Sequence, residues 1–220
     1  MDKYFGLRII LNIFEAISLI SGIIFWKKVK NTYWKWFVFY CGLILFIELF
    51  AKFIGYGLKN PKLNSDFYFF IGIPVQFIFF CWLFHKWFEK PKDQMLSLIS
   101  LVIYLLSWII DLLVLRHQRM WFSSFSYTVG NIVLLLMVIL FFLRFVNSNE
   151  ILKYKQSIMF WICLGLLLFY LGTLPFYGLR NYMYQNYKPV FYVYWDISFV
   201  LAGIMYLFFA FSFIWGRPKS

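Results

Sequence analysis

Long apolar runs alternate with short polar connections along this chain. Seven of the runs are long enough for a helix to cross the hydrocarbon core of a bilayer, which takes about 20 residues. They are predicted at 7–26, 34–56, 67–87, 95–115, 126–146, 157–178 and 193–214. The connections contain the Asn, Pro, Lys and Ser residues expected of loops, and none is long enough to hold a soluble domain. The pattern predicts an all-α membrane protein, a seven-transmembrane-helix bundle that forms a single domain over residues 1–220.

Composition supports this fold class. Of the 220 residues, 63% are hydrophobic, 25% are aromatic and only 14% are charged. A soluble domain of this size could not bury so much apolar surface. The first run is too long and too polar at its middle for a signal peptide, so we expect it to be retained as a membrane span.

The net charge of +12 belongs to short clusters of Lys and Arg between the apolar runs. These clusters are typical of topology signals and lipid headgroup contacts, and we expect membrane lipids rather than nucleic acid as partners. The connections after the first, third and fifth spans, together with the C-terminus, carry the larger share, and KKVK after the first span is the strongest element. The positive-inside rule therefore predicts an N-terminus outside, a cytoplasmic C-terminus and a multi-pass location in the cell inner membrane.

Polar side chains inside the spans are the candidate functional residues, because ionisable groups in hydrocarbon are costly. With the predicted orientation, they fall in the outer halves of the helices, whereas the inner halves contain no acid. We predict that they converge on an outward-facing cavity for an unknown small ligand, above a dry inner half. The candidate cavity residues are Asn12, Glu15, Glu48, Lys52, Gln76, Asp111, Asn131, Tyr170 and Asp196.

Several of these residues also have an ordinary structural interpretation. Glu48 and Lys52 have the i,i+4 spacing that lets an acid and a base pair on one helix face. Asp111 and Asp196 lie near predicted span ends, and Asp196 also fits a helix-start residue. Asn131 could instead be a packing residue that binds across helices. Glu15 has no base within a helical turn, so it needs a partner from another helix or a proton.

Pro74, in IGIPVQF, lies near the middle of the third span. A proline removes one backbone donor and is expected to kink the helix there. The carbonyl that loses its partner could then face the cavity.

Recognisable catalytic chemistry is missing from the sequence. No HExxH or GxSxG motif occurs, and the three cysteines each lie alone inside an apolar run, which is typical of small buried hydrophobic residues. We therefore predict no enzymatic activity, no catalytic residue, no metal site and no cofactor.

The sixth run reads SIMFWICLGLLLFYLGTLPFYGLRNYM and resembles the pattern FW-x-x-x-G-x-L-x-Y-x-G-T. Over roughly the last 90 residues, the chain resembles compact seven-helix membrane proteins of Bacteroidetes-type bacteria. Those proteins are similar to the membrane input modules of sensor histidine kinases. Tyr170 lies one place from the expected aromatic position. The matching residues are Phe160, Trp161, Gly165, Leu167, Phe169, Gly172 and Thr173.

This resemblance implies a receptor-like, sensory role in signal transduction. Because the sequence ends in WGRPKS with no catalytic domain, we expect any histidine kinase or other signalling partner to be a separate chain. Two other functions stay open. A small solute or proton-coupled transporter would use Glu15 as its titrating group, with Asn12 and Gln76 in the path. A lipid-modifying enzyme would use Glu15, Glu48 and Asp111 as acid and base.

Overall fold

The apolar runs form helices. The computed structural model describes residues 3–115 and 124–218. Among these residues, seven helices are long and apolar enough to cross a membrane, which confirms the all-helical class and supports a multi-pass membrane protein. These spans are Gly6–Ile24, Lys35–Gly57, Pro61–Trp87, Pro91–Val114, Phe125–Val146, Ile158–Asn186 and Lys188–Trp215.

Four of these seven spans are single α-helices, and each of the other three contains a π-helical turn. The α-helices are α1 (Lys3–Ile24), α2 (Trp26–Val29), α3 (Lys35–Lys52), α4 (Pro61–Phe67), α5 (Ile73–Trp87), α6 (Pro91–Ile110), α7 (Ser124–Val146), α8 (Ile158–Asn186) and α9 (Lys188–Trp215). The π-helical turns are Phe53–Gly57, Tyr68–Gly72 and Asp111–Leu115, and a 3₁₀ segment covers Asn149–Gln156. The connection predicted at 116–125 lies almost entirely outside the described residues.

The first span shows how these helices are placed in lipid. Its exposed side chains are isoleucines, such as Ile13 and Ile20, each 53% exposed. Its buried side chains include Asn12, Glu15 and Ser18, three residues apart along the helix. A helix in lipid needs its apolar groups outside, so the polar stripe is turned toward the protein.

The sixth and seventh spans are longer than predicted. The polar segment between them is helical up to Asn186, and α9 begins again at Lys188 with Pro189 at its second position. A polar segment does not by itself end a helix, and proline is well tolerated in a first helical turn. Asp196 therefore lies eight residues after the first residue of α9, and its interpretation as a helix-start residue is wrong.

Pro74 lies at the beginning of α5, directly after the π-helical turn Tyr68–Gly72. In that turn the N–H of Ile73 donates to the carbonyl of Tyr68, five residues back. The next carbonyl in the same register, that of Phe69, would need the N–H that proline lacks. It is bound by the indole Nε1–H of Trp108 at 3.1 Å, and the two rings stack with centroids 5.5 Å apart. The helical hydrogen-bond pattern is interrupted before Pro74 as predicted, but the unpaired carbonyl is bound by α6, and the predicted kink stays a prediction.

Two compact units divide the chain. Unit 1 comprises Met1–Leu49, Val138–Gly172 and Ile197–Ser220. Unit 2 comprises Phe50–Met137 and Thr173–Asp196. Each has an aromatic core: Phe37 packs on Phe209 and Phe213 in unit 1, with centroids 5.1 and 5.3 Å away. In unit 2, Phe77 packs between rings of α6 and α7. The assignment of residues 1–220 to a single domain stays a prediction.

Candidate functional site

Glu15 is a buried acid halfway along the first span. Its side chain is 1% exposed, ten residues into Gly6–Ile24. One helical turn earlier, the amide Nδ2 of Asn12 donates to its Oε2 at 2.6 Å. One turn later, the hydroxyl of Ser18 donates to the Glu15 backbone carbonyl at 2.8 Å. The sequence predicted either a partner from another helix or a proton on Glu15, but the hydrogen-bond donor shown here, Asn12, lies on α1 itself.

Side chains from other helices of unit 1 complete this surrounding. Glu15 interacts electrostatically with Tyr40 and Cys41 of α3 and with Tyr206 of α9. Cys41 also interacts with the side chain of Ser18. Two further residues, Tyr170 and Glu48, interact with these tyrosines rather than with Glu15 directly. We call the following residues the Glu15 network: Asn12, Glu15, Ser18, Tyr40, Cys41, Glu48, Tyr170 and Tyr206.

Tyr170 and Glu48 join the network through its tyrosines. Tyr170 of α8 is fully buried and interacts electrostatically with Tyr40. Glu48 of α3 is half-buried and interacts with Tyr206. Four spans therefore contribute to one buried polar group. Three tyrosines, an amide, a serine and a thiol can all donate hydrogen bonds, so the network is built to surround an acceptor.

This chemistry suits a small change in protonation or hydrogen bonding. A carboxyl group in a low-dielectric interior interacts strongly with every neighbouring dipole. Whether Glu15 holds a proton, or shares it with a ligand, changes which of its oxygens can accept from Asn12 and the tyrosines.

Asp111 is bound differently, in unit 2. It is 4% exposed, and its Oδ2 accepts from both the backbone N–H and the hydroxyl of Ser126, at 3.1 and 2.6 Å. Ser126 lies in the first turn of α7, where backbone N–H groups have no intrahelical acceptor. Asp111 thus caps α7 from the end of the fourth span, which is a structural role beyond the interfacial one expected.

The nine predicted cavity residues are divided between the units. Asn12, Glu15, Glu48 and Tyr170 lie in unit 1, and all four belong to the Glu15 network. Lys52, Gln76, Asp111, Asn131 and Asp196 lie in unit 2. Lys52 and Gln76 are half-buried, as is Asp196, whereas Asn131 is fully buried. Convergence of all nine on one outward-facing cavity stays a prediction, as does pairing of Glu48 with Lys52.

Sequence reasoning missed the tyrosines that face Glu15. Tyr40 and Tyr206 were not distinguished from the many aromatic residues that favour membrane interfaces. Their positions well inside a span were the available signal, since a phenol in hydrocarbon needs a polar neighbour. Ser18 was detectable from its spacing, three residues after Glu15. With the predicted orientation, Ser18 extends the polar group inward from Glu15.

Comparisons with known proteins add no family to this picture. No protein-family model matches the chain, and no curated protein or solved structure is significantly similar to it. The fold and the site define the class: an all-helical protein with seven candidate membrane spans and a buried acid at the middle of the first.

Proposed function

We propose that this protein is a receptor-like sensory module of the cell inner membrane, with the Glu15 network as its switch. A small ligand or a proton reaching Glu15 changes the hydrogen bonds of the network. The change is passed to a separate signalling protein, such as a histidine kinase, at the cytoplasmic side. The observation that carries the proposal is a 1%-exposed carboxyl group, at mid-span, in electrostatic contact with side chains of two further helices.

A switch requires two states that the stimulus distinguishes. In the structure, Asn12 donates to Glu15, and Tyr40 and Tyr206 lie near the acid; we take this arrangement as one of the two states. A proton on the Glu15 carboxylate, or a ligand that donates a hydrogen bond to it, would weaken the interactions of Glu15 with these donors. Because Tyr206 belongs to α9 and Tyr40 to α3, the two helices would then adjust together.

Unit 1 also contains a path from this network to a basic surface. The Lys28 amine, between α1 and α3, donates to the carbonyl of Ile214 near the end of α9 at 3.0 Å. The N–H of Arg217 donates to the carbonyl of Gln156 at 2.7 Å, which joins the chain after α9 to the segment before α8. These two hydrogen bonds link the end of α9 to the connections that carry Lys27, Lys30, Lys153 and Lys155, so we expect movement of α9 at Tyr206 to reach them.

Hydrogen–deuterium exchange in lipid nanodiscs tests the switch. Glu15→Gln keeps the size of the side chain and removes its titration. We expect it to change exchange several-fold at residues 27–35 and 149–156, far from the substitution along the chain. Glu89→Gln, the same change at an exposed acid between α5 and α6, is the matched control and should leave both segments unaltered. If Glu15→Gln alters exchange only within α1, the network is not coupled to the basic surface.

Proton-coupled transport is the second candidate, and the same acid favours it. Glu15 lies at the middle of its span, where alternating-access carriers place coupling groups. Proteoliposomes with an internal pH-sensitive dye separate the two functions. A carrier would move protons down an imposed gradient in a Glu15-dependent way, whereas a sensor would show the exchange response and no flux. The lipid-modifying alternative stays a prediction.

A further inference from the structure

The fourth span has an unusual buried face. Every buried residue of α6 is polar, and each is separated from the next by three or four residues, so they form one stripe along the helix. The opposite face is made of exposed Leu, Ile and Val side chains. Asp111, 4% exposed, continues the stripe into the π-helical turn. The stripe residues are Asp93, Ser97, Ser100, Tyr104, Ser107 and Asp111.

Serine stripes alone are explained by close helix packing, since small residues let backbones approach. Ser97 and Ser107 fit that explanation in part. Each hydroxyl donates to a carbonyl of its own helix at 2.7 Å, so its hydrogen needs no partner outside α6. Their oxygens nevertheless keep lone pairs that can accept a further hydrogen bond. Packing does not explain Tyr104.

The Tyr104 hydroxyl is buried and has no protein hydrogen-bond partner among the described residues. Its residue is 0% exposed, and its ring packs on Phe77 of α5 with centroids 4.7 Å apart. A phenylalanine would fill the same space without leaving a hydroxyl in the interior. An orphaned buried hydroxyl costs about 1–3 kcal/mol, so a partner outside the chain is expected.

Asn131 presents the same problem on the neighbouring helix. It is 0% exposed, and neither its Nδ2 nor its Oδ1 has a hydrogen-bond partner within the described part of the chain. The preceding residue, Gly130, lies against the ring of Phe77, the side chain that also contacts Tyr104. Phe77 thus contacts both helices that carry an unpartnered polar group, and all four residues belong to unit 2.

We propose that the α6 stripe and Asn131 form one hydrated site inside unit 2, occupied by internal water. The guest must be small, uncharged and both donor and acceptor, because an amide offers two donors and an acceptor while a phenol offers one of each. Water meets these needs, and a buried water typically makes about three hydrogen bonds. The site supplies a polar route along a span that is otherwise faced by lipid.

Radiolytic hydroxyl-radical labelling in nanodiscs tests this site, because radicals formed from bound water modify the side chains beside it. After correction for the higher intrinsic reactivity of a phenol, Tyr104 should be modified several-fold faster than Phe141 and Phe209, which are equally buried aromatic residues. If Tyr104 reacts no faster than these two, the site is dry and the proposal is wrong. These wild-type rates are decisive even if the variants below do not fold.

Asn131→Leu tests whether one site is shared. The substitution keeps the branching of the side chain at Cγ and removes the amide, so water held between α6 and α7 loses a partner. Modification of Tyr104 should fall several-fold, while Ile132→Leu, a lipid-facing control on the same helix, should leave it unaltered. An unaltered Tyr104 rate in a folded Asn131→Leu protein would overturn the shared site. Neither result depends on whether Glu15 is a switch.

Discussion

Trp108→Phe is the sharpest test of how the third span tolerates its proline. The substitution keeps a ring that can stack on Phe69 and removes the indole donor, which lies 3.1 Å from the Phe69 carbonyl. Orphaning a buried acceptor costs about 1–3 kcal/mol. Hydrogen bonds between membrane helices average about 0.6 kcal/mol, because the unfolded state in the membrane also finds partners. We expect a loss of about 1 kcal/mol in the free energy of unfolding, between these two magnitudes.

The reasoning also predicts that this cost depends on Pro74. In the π-helical register, an alanine in place of Pro74 would supply the N–H that Phe69 lacks. Pro74→Ala should therefore remove most of the cost of Trp108→Phe. A double-mutant cycle isolates this coupling, since the packing changes caused by each single substitution cancel.

The assay is reversible unfolding in mixed micelles titrated with dodecyl sulfate, followed by far-ultraviolet circular dichroism, for the four proteins of the cycle. Trp82→Phe, on α5 two turns beyond the proline, is the matched control and should cost the same in both backgrounds. If Trp108→Phe costs the same in the wild-type and Pro74→Ala backgrounds, within about 0.3 kcal/mol, the Phe69 carbonyl does not depend on the indole and the argument fails.

Two further substitutions test unit 2, with thermal unfolding in detergent as the common measurement. Asp111→Ala leaves the N–H and hydroxyl of Ser126 without their acceptor and should cost about 2–4 kcal/mol, whereas Asp111→Asn keeps one accepting oxygen and should cost clearly less. Equal costs would argue against the cap. Gly130→Ala would place a Cβ 2.6 Å from the Phe77 ring and should cost about 1–3 kcal/mol. Gly6→Ala meets nothing within 4 Å and should be nearly neutral, so a neutral Gly130→Ala would contradict the close approach.

The positions of the spans follow from hydropathy because a bilayer admits few solutions. A backbone in hydrocarbon must satisfy its own hydrogen bonds, so an apolar run of sufficient length becomes a helix. The ends of helices are less predictable. The sequence becomes polar after Leu179, yet α8 continues to Asn186, because polar residues do not by themselves break a helix. That difference moved Asp196 from a helix start to the third turn of α9.

Pro74 shows the same division between local and tertiary information. Its missing N–H is a property of the residue, so an interrupted helix was predictable. Which group binds the resulting carbonyl depends on a tryptophan 39 residues away in sequence, on α6. No local pattern connects Phe69 with Trp108.

The two candidate sites, around Glu15 and along α6, were also only partly predictable from the sequence. The sequence by itself determined that Glu15 lies deep in a span and that polar residues recur every three or four positions along α6, because both depend on one helix at a time. Only the tertiary structure decided that Tyr40 and Tyr206 interact with Glu15. It also decided that the α6 stripe is buried and that the Tyr104 hydroxyl has no hydrogen-bond partner among the described residues. The periodicity of a helix defines its faces, but the packing of other helices decides what each face meets.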